Sequence, residues 1–252
     1  MAVKRTTGRQ RSATGDGQDC EAPLLPLADI DELYRRLAAI NPAPRSELAF
    51  IDPYTLLIAV VLSAQATDVS VNKATEQLFK EADTPARMLA LGEEGLRQRI
   101  KTIGLFNTKA KNVIALSRIL VERFAGQVPR VREQLEALPG VGRKSANVVL
   151  NVAFAEPTIA VDTHVFRVAN RTGLARGTTP LAVEQGLMAR TPQQWLQHAH
   201  HWLILHGRYV CQARRPLCGG CVLRDLCLYT AKTDGAELVS PIPPPAAGRP
   251  TV

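Results

Sequence analysis

From Asp29 onward, apolar residues recur at intervals of three and four, the period of one helix face. Asp29-Ile-Asp-Glu-Leu-Tyr-Arg-Arg-Leu starts the pattern, with Ile30 as its first apolar position. Pro53–Ser63 is apolar without a break, which predicts a helix buried on all sides. Asp68–Phe79 and Thr84–Leu91 predict amphipathic helices. Asn107–Phe124 gathers Val113, Ile114, Leu116, Ile119 and Leu120 on one stripe. Helices are also predicted over Arg132–Leu138, Lys144–Phe154, His164–Thr172 and Pro192–Gly207, and Gly or Pro stands at most junctions. Period-two alternation is scarce; Thr158–Val161 is short enough for a strand or a loop. The prediction is an all-α chain with short connections and no long-period repeat.

Composition agrees with a packed core: of 252 residues, 46% are apolar and 21% charged. No apolar run reaches the ~20 residues of a membrane span, so no membrane partner is expected. Residues 1–22 lack the apolar stretch of a secretory signal and read as a disordered basic tail, with Lys4, Arg5, Arg9 and Arg11. Residues 234–252, with their prolines, read as an extended, disordered tail. A cytoplasmic, reducing location follows, in which the 5 cysteines are not a disulfide framework. Lys and Arg outnumber Asp and Glu by 31 to 23, a net charge of +8 that points modestly to a polyanion.

Four segments carry candidate chemistry. The first is Pro139-Gly140-Val141-Gly142, where glycines permit a tight turn between two helices. Such a turn directs free N–H groups and a helix's positive end outward, toward a phosphate oxygen. A plain helix–helix turn is the competing reading. Arg143 and Lys144 follow directly, and Lys144 is the second candidate. A cation in a helix's first turn opposes the dipole, and a broken local rule often marks function. The same field, with partial burial, makes the amine a better nucleophile; a solvated phosphate-binding lysine competes. Third, Asp162 suits a helix N-cap, and its carboxylate also suits proton transfer with a nearby amine. His164 reads as a structural, hydrogen-bonded histidine.

Fourth, Cys211, Cys218, Cys221 and Cys227 are spaced C-x6-C-x2-C-x5-C. Four thiolates in one short, reduced stretch predict a metal site. Only Cys218 and Cys221 form a close pair of the zinc type, so the long outer gaps favour a [4Fe–4S] cluster over zinc. Arg208, Arg214, Arg215 and Arg224 are expected to offset its negative charge. Cys20 lies apart, in the tail.

Taken together these segments resemble the endonuclease III family of helix-hairpin-helix DNA glycosylases, over roughly residues 27–230. The resemblance rests on LSAQATD at 62–68, TIGLFNTKA at 102–110, LPGVGRKSANVVLN at 138–151, TIAVDTHVFRV at 158–168, HHWLILHGRYVC at 200–211 and the four-cysteine loop. It implies two helical domains flanking a DNA-binding cleft. One is residues 46–156, with the hairpin. The other is residues 23–45 plus 157–233, with a structural [4Fe–4S] cluster.

The implied activity is a DNA glycosylase that is also an abasic-site lyase, acting on oxidised pyrimidines in duplex DNA. Lys144 matches the family's nucleophile on the sugar C1′, and Asp162 matches its assisting carboxylate. Gly140, Val141, Gly142 and Arg143 would meet DNA at the hairpin. Gln65 and Leu105 match residues that fill the stack when a nucleotide is flipped out. The expected partner is double-stranded DNA with damaged bases or abasic sites, met by a monomer at the nucleoid. The adenine-excising branch is disfavoured, because it usually lacks the lysine and carries a further C-terminal domain. Mismatched thymine or uracil and pyrimidine dimers stay open as substrates. A non-catalytic Fe–S module that senses redox state on DNA is the alternative of a different class.

Overall fold

The computed structural model describes residues 23–234, so the readings placed on both tails, Cys20 included, lie outside the described residues. Ten helices account for the described elements: α1 (Leu27–Ile40), α2 (Pro53–Leu62), α3 (Asp68–Glu81), α4 (Pro85–Ile100), α5 (Phe106–Phe124), α6 (Arg132–Glu136), α7 (Arg143–Phe154), α8 (Thr163–Thr172), α9 (Pro180–Arg190) and α10 (Gln193–Tyr209). No strand occurs among the described residues, and Thr158–Val161 is a loop. No described helix is long and apolar enough to cross a membrane.

The all-helical prediction holds, with two differences. The pattern over Thr84–Leu91 stops at Gly92, whose positive φ of 72° breaks the helical path, but helix resumes to Ile100 behind it. The helix α9 was not predicted. Its start signals are present, since Thr179 accepts from Ala182 N–H and Pro180 occupies the first turn. Its buried face is only Val183, Glu184 and Leu187, with Gly186 between, too thin for a periodic signal.

Two separate apolar cores organise the chain. Helices α2 to α7 bury the first, including Leu57, Ile58, Leu96, Leu116 and Leu150. Residue type explains the position of α2: nine of its ten residues are buried, as an all-apolar helix requires. The second core joins α1 to α8, α9 and α10 through Ile30, Leu33, Val165, Val183 and Leu203. Tyr34, Trp195 and Trp202 cluster there, with ring centroids 5.7–6.4 Å apart and only Tyr34 and Trp195 stacked. The chain thus leaves the second core after α1 and returns to it after α7.

The crossing back is held by polar groups. Asn151 Nδ2 donates to the carbonyls of Glu156, Thr158 and Gln197, while Asn147 Nδ2 donates to that of Ile159. Thr158 returns a bond of 2.7 Å to the Asn147 carbonyl. His200, on α10, bonds the Ala160 carbonyl at 2.9 Å. Asp162 follows immediately, so its position is tied to α7 on one side and α10 on the other.

Candidate active site, DNA interface and metal centre

The hairpin joins α6 to α7. Gly140 has φ of +81°, a conformation that penalises a side chain, and a Cβ there would stand 2.9 Å from Asn112 Nδ2 on α5. Val141 is buried, while Gly142, Arg143 and Lys144 are exposed. Gly142 caps α7 without a side-chain acceptor. The first-turn N–H groups of α7 have no intrahelical partner and stand beside its positive end, the arrangement that receives a phosphate oxygen.

Lys144, in the first turn of α7, is open to solvent but crowded by protein. It borders a cleft of about 470 Å³ together with Asp68, Glu47, Arg208, His200 and His201. Desolvation pushes its amine below the ordinary lysine value, while the charges of Asp162 and Asp68 oppose the shift and Arg208 adds to it. Lys144 and Asp162, predicted from distant segments, are therefore close enough to feel each other's charge. Asp162 caps α8: one carboxylate oxygen accepts from His164 N–H at 2.8 Å and Val165 N–H at 2.9 Å. His164 accepts no catalytic geometry here; its Nδ1 lies 3.2 Å from Arg167 Nη2.

Several residues of the cleft escaped the sequence reading. Arg208 pairs with Asp68 at 2.6 Å and with Glu47, which also accepts from the Tyr209 hydroxyl. Arg208 therefore serves the cleft and not the cysteines, which corrects its sequence-based placement. Burial holds His200 well below the ordinary histidine value and lowers His201 to about 4, so neither brings positive charge to the cleft at neutral pH. Asp68 and the two histidines lie inside the quoted segments LSAQATD and HHWLILHGRYVC, but nothing in their spacing singles them out.

Gln65 and Leu105 share an unusual backbone. Both are non-glycine residues at positive φ, +54° and +59°, and both are exposed, Leu105 by 57%. A Cβ on Gly104 would lie 3.8 Å from the Gln65 carbonyl, so the two loops adjoin. Strain of this kind costs about 1–3 kcal/mol per residue and collects at functional loops. Arg143 behaves differently from its prediction. Its guanidinium is engaged with Glu184 of α9 at 2.8–3.1 Å, leaving its backbone N–H as the group free for DNA.

The four cysteines are free thiols lining one pocket, walled by Val210, Pro216, Leu217 and Leu223. No three His, Cys, Asp or Glu side chains among the described residues converge as ligands of a single ion. Sulfurs arranged around a space, and not on a point, fit a multi-iron cluster better than zinc. Burial pushes the Cys221 thiol up to about 11 and raises that of Cys227; bound iron supplies the charge that offsets a buried thiolate. One guanidinium N–H and one imidazole nitrogen stand at the sulfurs. Arg171 Nη1 lies 3.5 Å from Cys211, and His206 Nε2 lies 3.7 Å from Cys221. Arg171 also holds the Gln212 and Ala213 carbonyls, and Arg167, one turn earlier on α8, holds those of Gly207 and Cys211. This pair of arginines at i, i+4 was legible as spacing but not as a contact to the loop. Of the arginines expected around the cluster, Arg214 and Arg215 are exposed and Arg224 pairs with Asp234.

Comparison with known proteins agrees with this site. Residues 58–193 match the HhH-GPD superfamily of base excision DNA repair proteins. Residues 211–227 match the iron-sulfur binding domain of endonuclease III, and the cofactor is a [4Fe–4S] cluster. The chain is 59% identical to endonuclease III of Escherichia coli K12 over 203 residues, covering 81% of this chain and 96% of that one. It is 58% identical to endonuclease III of Treponema pallidum over 204 residues, 81% and 97% of the two chains. Among solved structures, a trapped endonuclease III–DNA covalent intermediate superposes with a TM-score of 0.76 at 45% identity, covering 81% and 96%. A thermostable thymine-DNA glycosylase shares the fold at 24% identity, with a TM-score of 0.72 and 80% and 96% coverage. The chain belongs to the endonuclease III family of helix-hairpin-helix base excision repair proteins.

Proposed function

We propose that this protein is a bifunctional DNA glycosylase and abasic-site lyase that removes oxidised pyrimidines from duplex DNA. The observation that carries the reading is the position of Lys144 in the first turn of α7, bordering the cleft and near enough to Asp162 to feel its charge. A base inside a duplex hides its sugar C1′, so the nucleotide must first leave the stack, at a cost of a few kcal/mol. Gln65 and Leu105 stand exposed on adjoining loops, suited to occupy the vacated space. The N–H groups of Gly140 to Arg143 are suited to a backbone phosphate. The division into residues 46–156 and residues 23–45 plus 157–233 is supported by the two cores.

The chemistry follows from Lys144. The neutral amine attacks C1′, the C1′–N glycosidic bond breaks, and the base departs with the electron pair and gains a proton. Asp162, whose charge reaches Lys144, stabilises positive charge on the sugar and takes the proton the attacking nitrogen loses. Ring opening leaves an imine between Nζ and C1′. Loss of a C2′ proton then expels the 3′ phosphate, and water releases the enzyme. The cluster, held by Cys211, Cys218, Cys221 and Cys227, supplies structural cross-linking of the loop. The reading is completed by action as a monomer at the nucleoid in the cytoplasm; the similar endonuclease III chains are from bacteria.

Borohydride trapping tests the reading. The panel is duplexes with thymine glycol, dihydrouracil, uracil or thymine opposite guanine, adenine opposite 8-oxoguanine, and a plain abasic site. The expected result is a covalent adduct on the oxidised pyrimidines and the abasic site, absent in Lys144→Gln. Asp162→Asn keeps the cap, because its amide oxygen still accepts both N–H groups, but releases base more slowly. An unchanged adduct with Lys144→Gln removes Lys144 from the mechanism. An adduct confined to mismatches would transfer the substrate to mispaired thymine or uracil.

A further inference from the structure

Arg143 stands one residue before Lys144, in the first turn of α7. Its Nη2 donates to Glu184 Oε1 at 2.8 Å, and its Nε lies 3.1 Å from both carboxylate oxygens. Glu136 stands 3.9 Å from Nη1. The Glu184 side chain is only 9% exposed, and a carboxylate that buried requires a cation. Glu184 belongs to α9, which packs on α8, the helix that Asp162 caps. The pair therefore joins the first turn of α7, in the first core, to the second core. Further along α7, Asn147 and Asn151 hold the 156–159 segment. One helix is thus attached to the opposite lobe at two points, and Lys144 lies on the stretch beside the first.

We propose that the Arg143–Glu184 pair is a strap between the two lobes that positions Lys144 against Asp162, and that the Arg143 guanidinium is not a phosphate contact. This inference rests on the reading of Lys144 as nucleophile. Both residues are positioning residues: neither touches the reacting atoms, but both set the distance between the groups that do. Geometry explains why the strap is worth a buried charge. A displacement of about 1 Å at a reacting group costs on the order of a hundredfold in rate.

The test is single-turnover trapping on an abasic duplex at saturating protein, with dissociation constants measured over a series of salt concentrations. Glu184→Gln keeps the side-chain volume and leaves Arg143 with open solvent, so it retains the fold. It should trap about ten- to a hundredfold more slowly with affinity and salt slope unchanged. The double variant Arg143→Gln/Glu184→Gln leaves no unpaired buried charge, and should lose little more than Glu184→Gln alone, because the ion pair is already gone and only a neutral amide hydrogen bond is left to lose. If Arg143 gripped a phosphate instead, Arg143→Gln would flatten the slope of log K against log salt by about 0.9, and Glu184→Gln would tighten binding by freeing the guanidinium. That pattern overturns the strap, as does undiminished trapping in Glu184→Gln. No adduct in the unsubstituted protein would instead refute Lys144 as nucleophile, and the strap's purpose with it.

Discussion

At the second position of α7, a lysine stands where the helix dipole disfavours a cation and nearby protein partly desolvates the amine, although the side chain is open to solvent. Both effects favour the neutral amine, the form that attacks carbon. The sign is definite: trapping on an abasic duplex should rise with pH through a midpoint below the ordinary lysine value of 10.5. Asp162 raises that midpoint by its charge, so Asp162→Asn should move the rise to lower pH. A rise at or above the ordinary value in the parent would contradict the desolvated amine. Lys144 was legible as a residue out of place for a bland helix, and Asp162 as a cap whose carboxylate also suits proton transfer. Their pairing was not, because the 17 intervening positions say nothing about where each stands relative to the other. Gln65 and Leu105 carry a clearer mark in the structure than in the sequence, since positive φ at a non-glycine residue is visible only in the backbone.

At the scale of elements, the hairpin is the segment most fully determined by local sequence. Gly140 is required twice, for its positive φ and for the absence of a Cβ against Asn112. Gly140→Ala should therefore lower stability by about 2 kcal/mol and weaken DNA binding, measured by urea unfolding and titration of a duplex. Asn112→Ala in the same chain relieves the close contact but not the φ penalty, so it should restore part of the loss. Unaltered unfolding in Gly140→Ala would mean that the turn is not held as described. The opposite case is α9. Its cap and its proline lie in plain view, but its buried face includes Glu184, a residue that no hydrophobic pattern assigns to an interior. Only the partner on α7 makes that burial sensible.

At the scale of the whole molecule, the chain leaves its second core to build the first and then returns, and the cluster loop closes the returning half. Arg167 and Arg171 stitch α8 to that loop through three carbonyls and to the end of α10 through that of Gly207, while Arg36 of α1 reaches the Val222 carbonyl and Asp225. Removing one thiolate should therefore unravel more than a ligand. Cys218→Ala is expected to lose visible absorbance and iron and to destabilise the second lobe by more than about 4 kcal/mol. Its affinity for duplex DNA should fall with it. Full iron content and unchanged melting would show that the loop does not depend on the cluster.

Sequence by itself determined the helical class, the boundaries of most helices and the hairpin turn, and it marked the four cysteines, the lysine and the aspartate as candidates. Each of these is a local matter: periodicity, a cap, a turn residue or a spacing is complete within a dozen or so positions. Tertiary structure alone decided what crosses between the lobes. It turned Arg208 from the cysteines toward Asp68 and Glu47, gave Arg143 to a buried carboxylate, and assigned the contacts to the cluster loop to Arg167 and Arg171. A long charged side chain reaches several ångströms in any direction, and its partner is chosen by whichever opposite charge the packing leaves without water. That choice depends on the arrangement of both cores, which no single stretch of the chain encodes.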